Sequence, residues 1–329
     1  MEHREALLAL RTFLSTQILG QEKLIERLLI ALLADGHMLV EGAPGLAKTK
    51  AIKELAEGIE AQFHRIQFTP DLLPADITGT EIYRPETGSF VFQQGPIFHN
   101  LVLADEINRA PAKVQSALLE AMAERQVSVG RSTYELSPLF LVMATQNPIE
   151  QEGTYPLPEA QLDRFLMHVK IGFPDAAVER RILQQARGEA LNGETKPERR
   201  VSQQAIFAAR KEILGLYMAD AVEEYLVQLV MATRTPAKFD PEMAEWIAYG
   251  ASPRGSIALD RCARAHAWLA GRDFVSPEDI QAVLFDVLRH RIILSFEAEA
   301  AGIDQDRVVQ IDARLRRVET FDLLADGDS

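Results

Sequence analysis

The sequence predicts an α/β fold, a largely parallel sheet covered by helices, followed by an all-α C-terminal region. Three observations carry that prediction. Five short β-rich apolar runs alternate with helical patterns over the first half of the chain: His37–Glu41, Phe63–Phe68, Leu101–Ala104, Phe140–Thr145 and Leu166–Ile171. A glycine-rich loop stands between the first of these runs and a helical pattern. Beyond Pro174 the strand signal fades and helical periodicity takes over.

Taken in order, the first run, His37-Met38-Leu39-Val40, leads through the glycine-rich loop into a helical stretch marked by Ile52, Leu55 and Ala56. Two segments then interrupt the alternation. From Thr80 to Pro96, the turn Pro85-Glu86-Thr87-Gly88 sits between Ile82-Tyr83 and Phe90-Val91-Phe92. From Gln126 to Leu136, Val127 and Val129 alternate with polar residues before the turn Gly130-Arg131-Ser132. Both are expected to be small hairpins inserted in the main fold, either surface decoration or working elements.

The change of texture places a domain boundary near Phe173–Asp175, giving an α/β domain over 1–174 and a helical domain over 175–329. The clearest helix of the second domain opens at Ser276 as N-cap, with Pro277 first and Glu278 and Asp279 in the first turn. Ile280, Val283, Leu284, Val287 and Leu288 follow at helical spacing, with Arg289, His290 and Arg291 expected in the last turn. Val308–Leu315 is expected to be a final helix and Asp326–Ser329 a frayed acidic tail.

Composition narrows the functions open to such a fold. Of 329 residues, 47% are hydrophobic and 25% charged, enough apolar material for a substantial core. The formal charge of −13 and a pI near 5.1 disfavour general binding to nucleic acid or anionic membranes. The longest apolar run, Leu28–Ala34, is seven residues, far short of the ~20 that span a bilayer. No secretory signal is visible, and the lone Cys262 leaves no internal disulfide or Cys-based metal cluster, so a cytoplasmic protein is expected. Seven histidines are scattered without metal-ligand spacing.

The loop Glu41-Gly42-Ala43-Pro44-Gly45-Leu46-Ala47-Lys48-Thr49 has the layout that phosphate binding needs. Glycines let backbone N–H groups turn inward around an anion, and the following helix presents its positive end. Lys48 is placed to reach outer phosphates, and Thr49 to offer a hydroxyl to Mg²⁺. The strict pattern has glycine directly before the lysine, where this chain has Ala47. Alanine is acceptable there if the position is already helical, because a methyl costs little in that conformation.

A second signal is the buried-strand run ending in Asp105-Glu106, 57 residues after Lys48. Carboxyl ends of parallel strands open onto the ligand crevice. Asp105 could hold the Mg²⁺ shell together with Thr49, and Glu106 could polarise a water for attack on a terminal phosphate. Adjacent carboxylates also occur as plain solvated turns, and it is the company of the glycine-rich loop that favours chemistry. A third run ends in Gln146-Asn147-Pro148, where Asn147 is either a turn starter or a γ-phosphate sensor.

Taken together these residues resemble the AAA+ ATPases, and more closely their MoxR family, over about residues 15–300. The family signs are Glu41–Thr49 with alanine before the lysine, Asp105-Glu106-Ile107-Asn108-Arg109-Ala110-Pro111, Ala144–Pro148, and Leu157-Pro158-Glu159-Ala160-Gln161-Leu162-Asp163-Arg164-Phe165. The resemblance implies a P-loop AAA+ core with a helical lid, binding ATP and Mg²⁺. It implies that Gly42–Thr49 is the phosphate loop, Asp105-Glu106 the Mg²⁺ and water-activating pair, and Asn147 the first sensor. By the same resemblance, Gln21 in Ile18-Leu19-Gly20-Gln21 lies against the adenine. Arg164 is similar to the arginine finger that reaches a neighbouring subunit's nucleotide, and Arg254 in Ser252-Pro253-Arg254-Gly255 to the second sensor on the lid. The inserts match the helix-2 insert and the pre-sensor-1 hairpin, expected to face substrate or a pore. Arg109 is close enough to the acid pair to touch a neighbour's nucleotide, without an assigned role.

A guanidinium at the transferring phosphoryl group is worth about 10³–10⁵ in rate, so a finger supplied by the next subunit makes assembly the switch. The family implies a ring, expected to be a hexamer, that couples hydrolysis to chaperone-like remodelling of client complexes, alongside partners with a von Willebrand A-type domain. Two alternatives remain at the level of sequence. One is a DNA-translocating motor of the same clade, which the acidic charge disfavours. The other is a nucleotide-gated scaffold with negligible hydrolysis, which has no need of Glu106.

Overall fold

The computed structural model describes residues 2–148, 153–193 and 195–313. Helices α1 (Glu2–Gln17) and α2 (Glu22–Leu33) precede strand β1 (Met38–Glu41), which runs through the loop into α3 (Lys48–Gly58). Strand β2 (Phe63–Gln67), the short α4 (Pro74–Thr78) and the hairpin β3 (Gly79–Arg84) and β4 (Ser89–Gln94) follow. Next come β5 (Leu101–Asp105), α5 (Ala112–Glu124), the hairpin β6 (Gln126–Val129) and β7 (Ser132–Glu135), then β8 (Leu141–Gln146), α6 (Glu159–Leu162) and β9 (Met167–Lys170).

All five predicted runs become strands of one sheet, in the order β2-β5-β8-β1-β9. The pairs β2–β5, β5–β8 and β8–β1 are parallel. Leu101–Ala104 and Leu141–Ala144 are at most 1% exposed, as continuous apolar strands must be when both faces of a parallel sheet are covered. Val102, Ala104, Val142 and Ala144 share a core with Val114, Leu118 and Met122 of α5 and with Phe140 and Phe165. His37, 5% exposed, is a satisfied core residue: its Nε2 faces Met122 O at 3.2 Å and its Nδ1 accepts from Val142 N–H at 3.0 Å.

Register decides what meets at the sheet's rim. Gln67 pairs with Asp105, Ala104 with Ala144, and Glu41 with Gln146, so the carboxyl ends of β2, β5, β8 and β1 finish side by side. Both inserts are antiparallel hairpins, as their turn signals predict. Phe92 of the first stacks on Tyr134 of the second, with ring centroids 3.9 Å apart.

The chain divides into two compact units, one holding residues up to Phe165 and Val169–Ala209, the other Leu166–His168 and the chain from Arg210 onward. Helix α7 (Ala176–Asn192), capped by Asp175, and most of α8 (Gln203–Leu214) therefore lie in the first unit. Polar contacts explain why the unit continues past the change of texture at Phe173–Asp175. Lys50 pairs with Glu189 at 2.7 Å, Gln185 donates to Thr16 O and Gln17 O, and Arg200 donates to Ile59 O and Ala56 O.

The second unit is built on α9 (Asp220–Arg234), α10 (Pro241–Trp246), α11 (Pro253–Leu269), α12 (Pro277–Leu288) and α13 (Phe296–Ala300). It also holds two pairings of two- or three-residue strands, Tyr217–Met218 with Phe274–Val275 and Ile247–Tyr249 with Ile293–Leu294. Such short strands leave no periodicity to read. The helix predicted from Ser276 is α12, closed by a capping box in which Ser276 N–H donates to Asp279 Oδ2 at 2.9 Å. It ends at Leu288, so Arg289, His290 and Arg291 form a separate buried 3₁₀ turn instead of the helix's last turn. Residues 305–313 are helical, while the rest of the predicted final helix and the acidic tail lie outside the described residues.

Candidate active site

The flush strand ends create a cavity of about 400 Å³, lined by Pro44–Lys50, Arg65, Asp105, Glu106 and Asn147. The structure thus brings the glycine-rich loop, both acids and the asparagine to one place. Gly42 and Ala43 lie at the base of the loop, both buried. A Cβ on Gly42 would stand 2.6 Å from Ile171 Cγ1, so a side chain there would force Ile171 to shift.

Gly45 adopts φ +85, the region glycine reaches without penalty. Ala47 is the correction to the sequence expectation. It is not helical but left-handed, with φ 57 and ψ 19. An L-residue crowds its Cβ against the following carbonyl in that region, at a cost of about 1–2 kcal/mol. That is the reason the strict pattern has glycine at this position. Glu106 is left-handed as well, with φ 56 and ψ 51. Two non-glycine residues in a sparsely populated region therefore flank one cavity, the kind of placement that functional sites sustain.

Lys48, the first residue of α3, donates from Nζ to Gly42 O at 2.6 Å. Burial pulls its ammonium below the usual lysine range, against the opposing pull of Asp105 and Glu106. Asp105 Oδ1 accepts from Thr145 Oγ1 at 2.6 Å, and that hydroxyl accepts from Glu106 N–H at 2.9 Å. Asp105 Oδ2 accepts from Arg65 Nε at 3.0 Å and Nη2 at 2.7 Å. Glu106 Oε2 accepts from Gln67 Nε2 at 2.8 Å and from Arg109 Nη1 at 2.9 Å.

Arg65, Gln67 and Thr145 were not singled out from sequence. The available signal is the spacing of two within β2: Arg65 and Gln67 stand at i and i+2 beside the buried Ile66, on one face of an edge strand that ends at the rim.

The other expected residues belong to other elements. Gln21 is buried at the N-terminus of α2 and donates from Nε2 to Gly172 O at 3.1 Å, which ties the chain entering α2 to the segment after β9. Arg164 follows α6, and its Nη1 donates to Leu119 O of α5 at 2.7 Å. Arg254 is an exposed residue in the first turn of α11, in the second unit.

The donor set suits a hard divalent cation. Asp105 and Thr49 offer oxygen ligands beside an anion cradle, and Mg²⁺ is usually held by one or two carboxylates together with substrate phosphates and water. Among the described residues no group of three or more His, Cys, Asp or Glu forms a separate metal cluster. No helix among them is long and apolar enough to cross a membrane.

Comparison with known proteins shows the family. A model of the ATPase family associated with various cellular activities (AAA) matches residues 37–167, and one of the AAA lid domain matches residues 242–311. Chaperone MoxR1 of Mycobacterium tuberculosis is 46% identical over 295 residues, covering 89% of this chain and 77% of that protein. The uncharacterized protein YeaC of Bacillus subtilis is 45% identical over 286 residues, covering 86% of this chain and 85% of its own length. A crystal structure of a protein from Cytophaga hutchinsonii superposes with a TM-score of 0.89 at 46% identity, over 95% of this chain and 94% of that one.

Proposed function

Because this chain belongs to the MoxR family of AAA+ ATPases, we propose that it binds ATP in the cavity at the sheet's rim and hydrolyses it. The observation that supports this most directly is the convergence of Lys48, Asp105, Glu106 and Asn147 on one cavity walled by a phosphate loop. Backbone N–H groups of residues 43–48 and the N-terminal end of α3 hold the phosphates, and the Lys48 ammonium exchanges Gly42 O for an outer phosphate oxygen. Asp105 and Thr49 would hold Mg²⁺, which would supply charge neutralisation at the phosphates. Glu106 orients a water and accepts its proton, and Asn147 fixes that water or the γ-phosphate.

Family membership supports the rest of the proposal. The chain assembles into a ring, a hexamer, in which Arg164 leaves Leu119 O and reaches the neighbouring subunit's nucleotide. Gln21 lies by the adenine, and Arg254 reports on the nucleotide from the lid. The ring acts as a cytoplasmic chaperone that remodels client complexes, in company with a partner bearing a von Willebrand A-type domain, and binds no nucleic acid.

Binding of a fluorescent ATP analogue and phosphate release, measured on wild type and Lys48→Ala, test the core of this. Wild type should bind and turn over while the variant does neither. Equal affinity in both would remove the cavity from the account.

A further inference from the structure

Each member of the acid pair is gripped by a residue of β2, Asp105 by Arg65 and Glu106 by Gln67. Asp105 has four lone-pair positions. Thr145 takes one on Oδ1, and the Arg65 fork takes both on Oδ2. A cation, or its shell of water, needs that same carboxylate. Thr145 cannot yield, since it is 1% exposed inside β8. The Arg65 side chain can, being 48% exposed on the sheet's edge strand.

The grip extends further. Arg65 Nη2 also donates to Gln67 Oε1 at 2.6 Å, and the amide nitrogen of that same Gln67 is what holds Glu106 Oε2. Asp105, Arg65, Gln67 and Glu106 therefore form one chain of hydrogen bonds along the cavity wall.

We propose that Arg65 is a cation-sensing latch. In the nucleotide-free protein its guanidinium stands at Asp105 in place of the metal's charge. When a cation and a triphosphate arrive, the guanidinium leaves Asp105 and pairs with phosphate oxygen in the same cavity, a geometry its planar fork matches as well as it matches a carboxylate. Gln67 then loses the donor that fixes its amide oxygen, while Glu106 keeps Gln67 and Arg109 as donors. Metal loading and capture of the phosphate by Arg65 are thereby one event. This rests on the ATP-binding reading of the cavity and adds a positioning residue to it.

Arg65 opposes the metal but assists the phosphate, so its removal should shift two affinities in opposite directions, which a merely structural role would not do. The test measures Mn²⁺ binding alone by electron paramagnetic resonance, and binding of a fluorescent ATP analogue in excess EDTA, on wild type, Arg65→Ala and Arg65→Lys. Arg65→Ala should bind Mn²⁺ about three- to fivefold more tightly and metal-free nucleotide about three- to fivefold more weakly, the range for a half-exposed charge pair. Arg65→Lys should fall between it and wild type, and it provides the measurement if Arg65→Ala fails to fold. Mn²⁺ affinity unchanged or weaker in the variants, with normal nucleotide binding by wild type, overturns the latch and leaves the ATP site standing. A wild-type protein that binds neither probe overturns both.

Discussion

Gln67 Nε2 donates a 2.8 Å hydrogen bond to Glu106 Oε2, which also accepts from Arg109. Gln67 reaches Glu106 because β2 and β5 end in register, with Gln67 opposite Asp105. Glu106 is thus tethered by two donors, a restraint that it must give up to turn toward a substrate water. A hydrogen bond to a charged group is worth about 1.5–3 kcal/mol when buried, and less here because the Glu106 side chain is 26% exposed. Gln67→Leu should therefore raise phosphate release in the absence of any client by roughly five- to tenfold, about 1 kcal/mol or slightly more of barrier. Nucleotide affinity should hardly move. A drop in turnover would mean that Gln67 supports the reactive arrangement instead of restraining it.

Ala47 makes a separate stability prediction. Its left-handed backbone carries a Cβ penalty that glycine does not, partly offset by glycine's greater unfolded-state freedom. Ala47→Gly should raise the thermal midpoint modestly, by up to about 1 kcal/mol at the midpoint, and keep nucleotide binding. Ala47→Val, β-branched in the same conformation, should lower it. Destabilisation by the glycine variant would contradict the conformation described.

These two residues mark where sequence legibility ends. The central strands β5 and β8 are readable because strands buried on both faces are unbroken apolar runs, and Leu101–Ala104 and Phe140–Thr145 are such runs. The phosphate loop and the acid pair are readable because each is contiguous in the chain. The Arg65–Asp105 and Gln67–Glu106 pairs span 40 and 39 positions, and their partners are chosen by strand register, which no local pattern encodes. The conformation of Ala47 is hidden for another reason: alanine there suits a helix start as well as a left-handed turn, and only the closed loop decides.

Lys48 should show a cost of function in the nucleotide-free protein. Burial lowers its folded-state pKa below the unfolded value near 10.5. Between the two the unfolded chain holds more protons, so stability rises with pH across that interval, and the penalty is present in full below it. Lys48→Met should therefore be more stable than wild type at neutral pH without nucleotide, the advantage shrinking as pH approaches 10.5. The same variant should lose the stabilisation that wild type gains from Mg²⁺ and ATP. Thermal midpoints across pH, with and without nucleotide, give both readings, and an advantage that grows with pH would refute the burial cost.

Asp279 is the corresponding stability element of the second unit. It is fully buried, and burial alone would raise its pKa. Hydrogen bonds from His266 and from Ser276 N–H, with the charge of Arg272, more than offset that and hold it below the ordinary carboxylate value. Its stabilising contribution is thus present above an unfolded pKa near 3.8 and is lost as pH falls through the lower folded value. Asp279→Asn leaves Arg272 facing a neutral amide and should destabilise this unit by about 3 kcal/mol at neutral pH. Its acid-induced loss of stability should also be shallower than that of wild type. Urea unfolding from neutral to acid pH, followed through Trp246 and Trp268 of this unit, checks both.

Arg164 and Glu106 separate assembly from chemistry. Glu106→Gln keeps the shape of the side chain and the hydrogen-bonding oxygen but not the base, so it should bind ATP at wild-type strength and turn over about 10²–10⁴-fold more slowly. Arg164→Ala should fold and bind ATP too, since Arg164 donates here to a backbone carbonyl of α5, yet lose about 10³-fold or more in turnover if it serves a neighbour's nucleotide. The decisive measurement mixes the two variants. If the finger acts between subunits, a subunit with Glu106 intact and Arg164 missing gains one from a Glu106→Gln neighbour, and the mixture hydrolyses ATP faster than either variant alone. Activity equal to the average of the separate samples would place Arg164 outside any shared site.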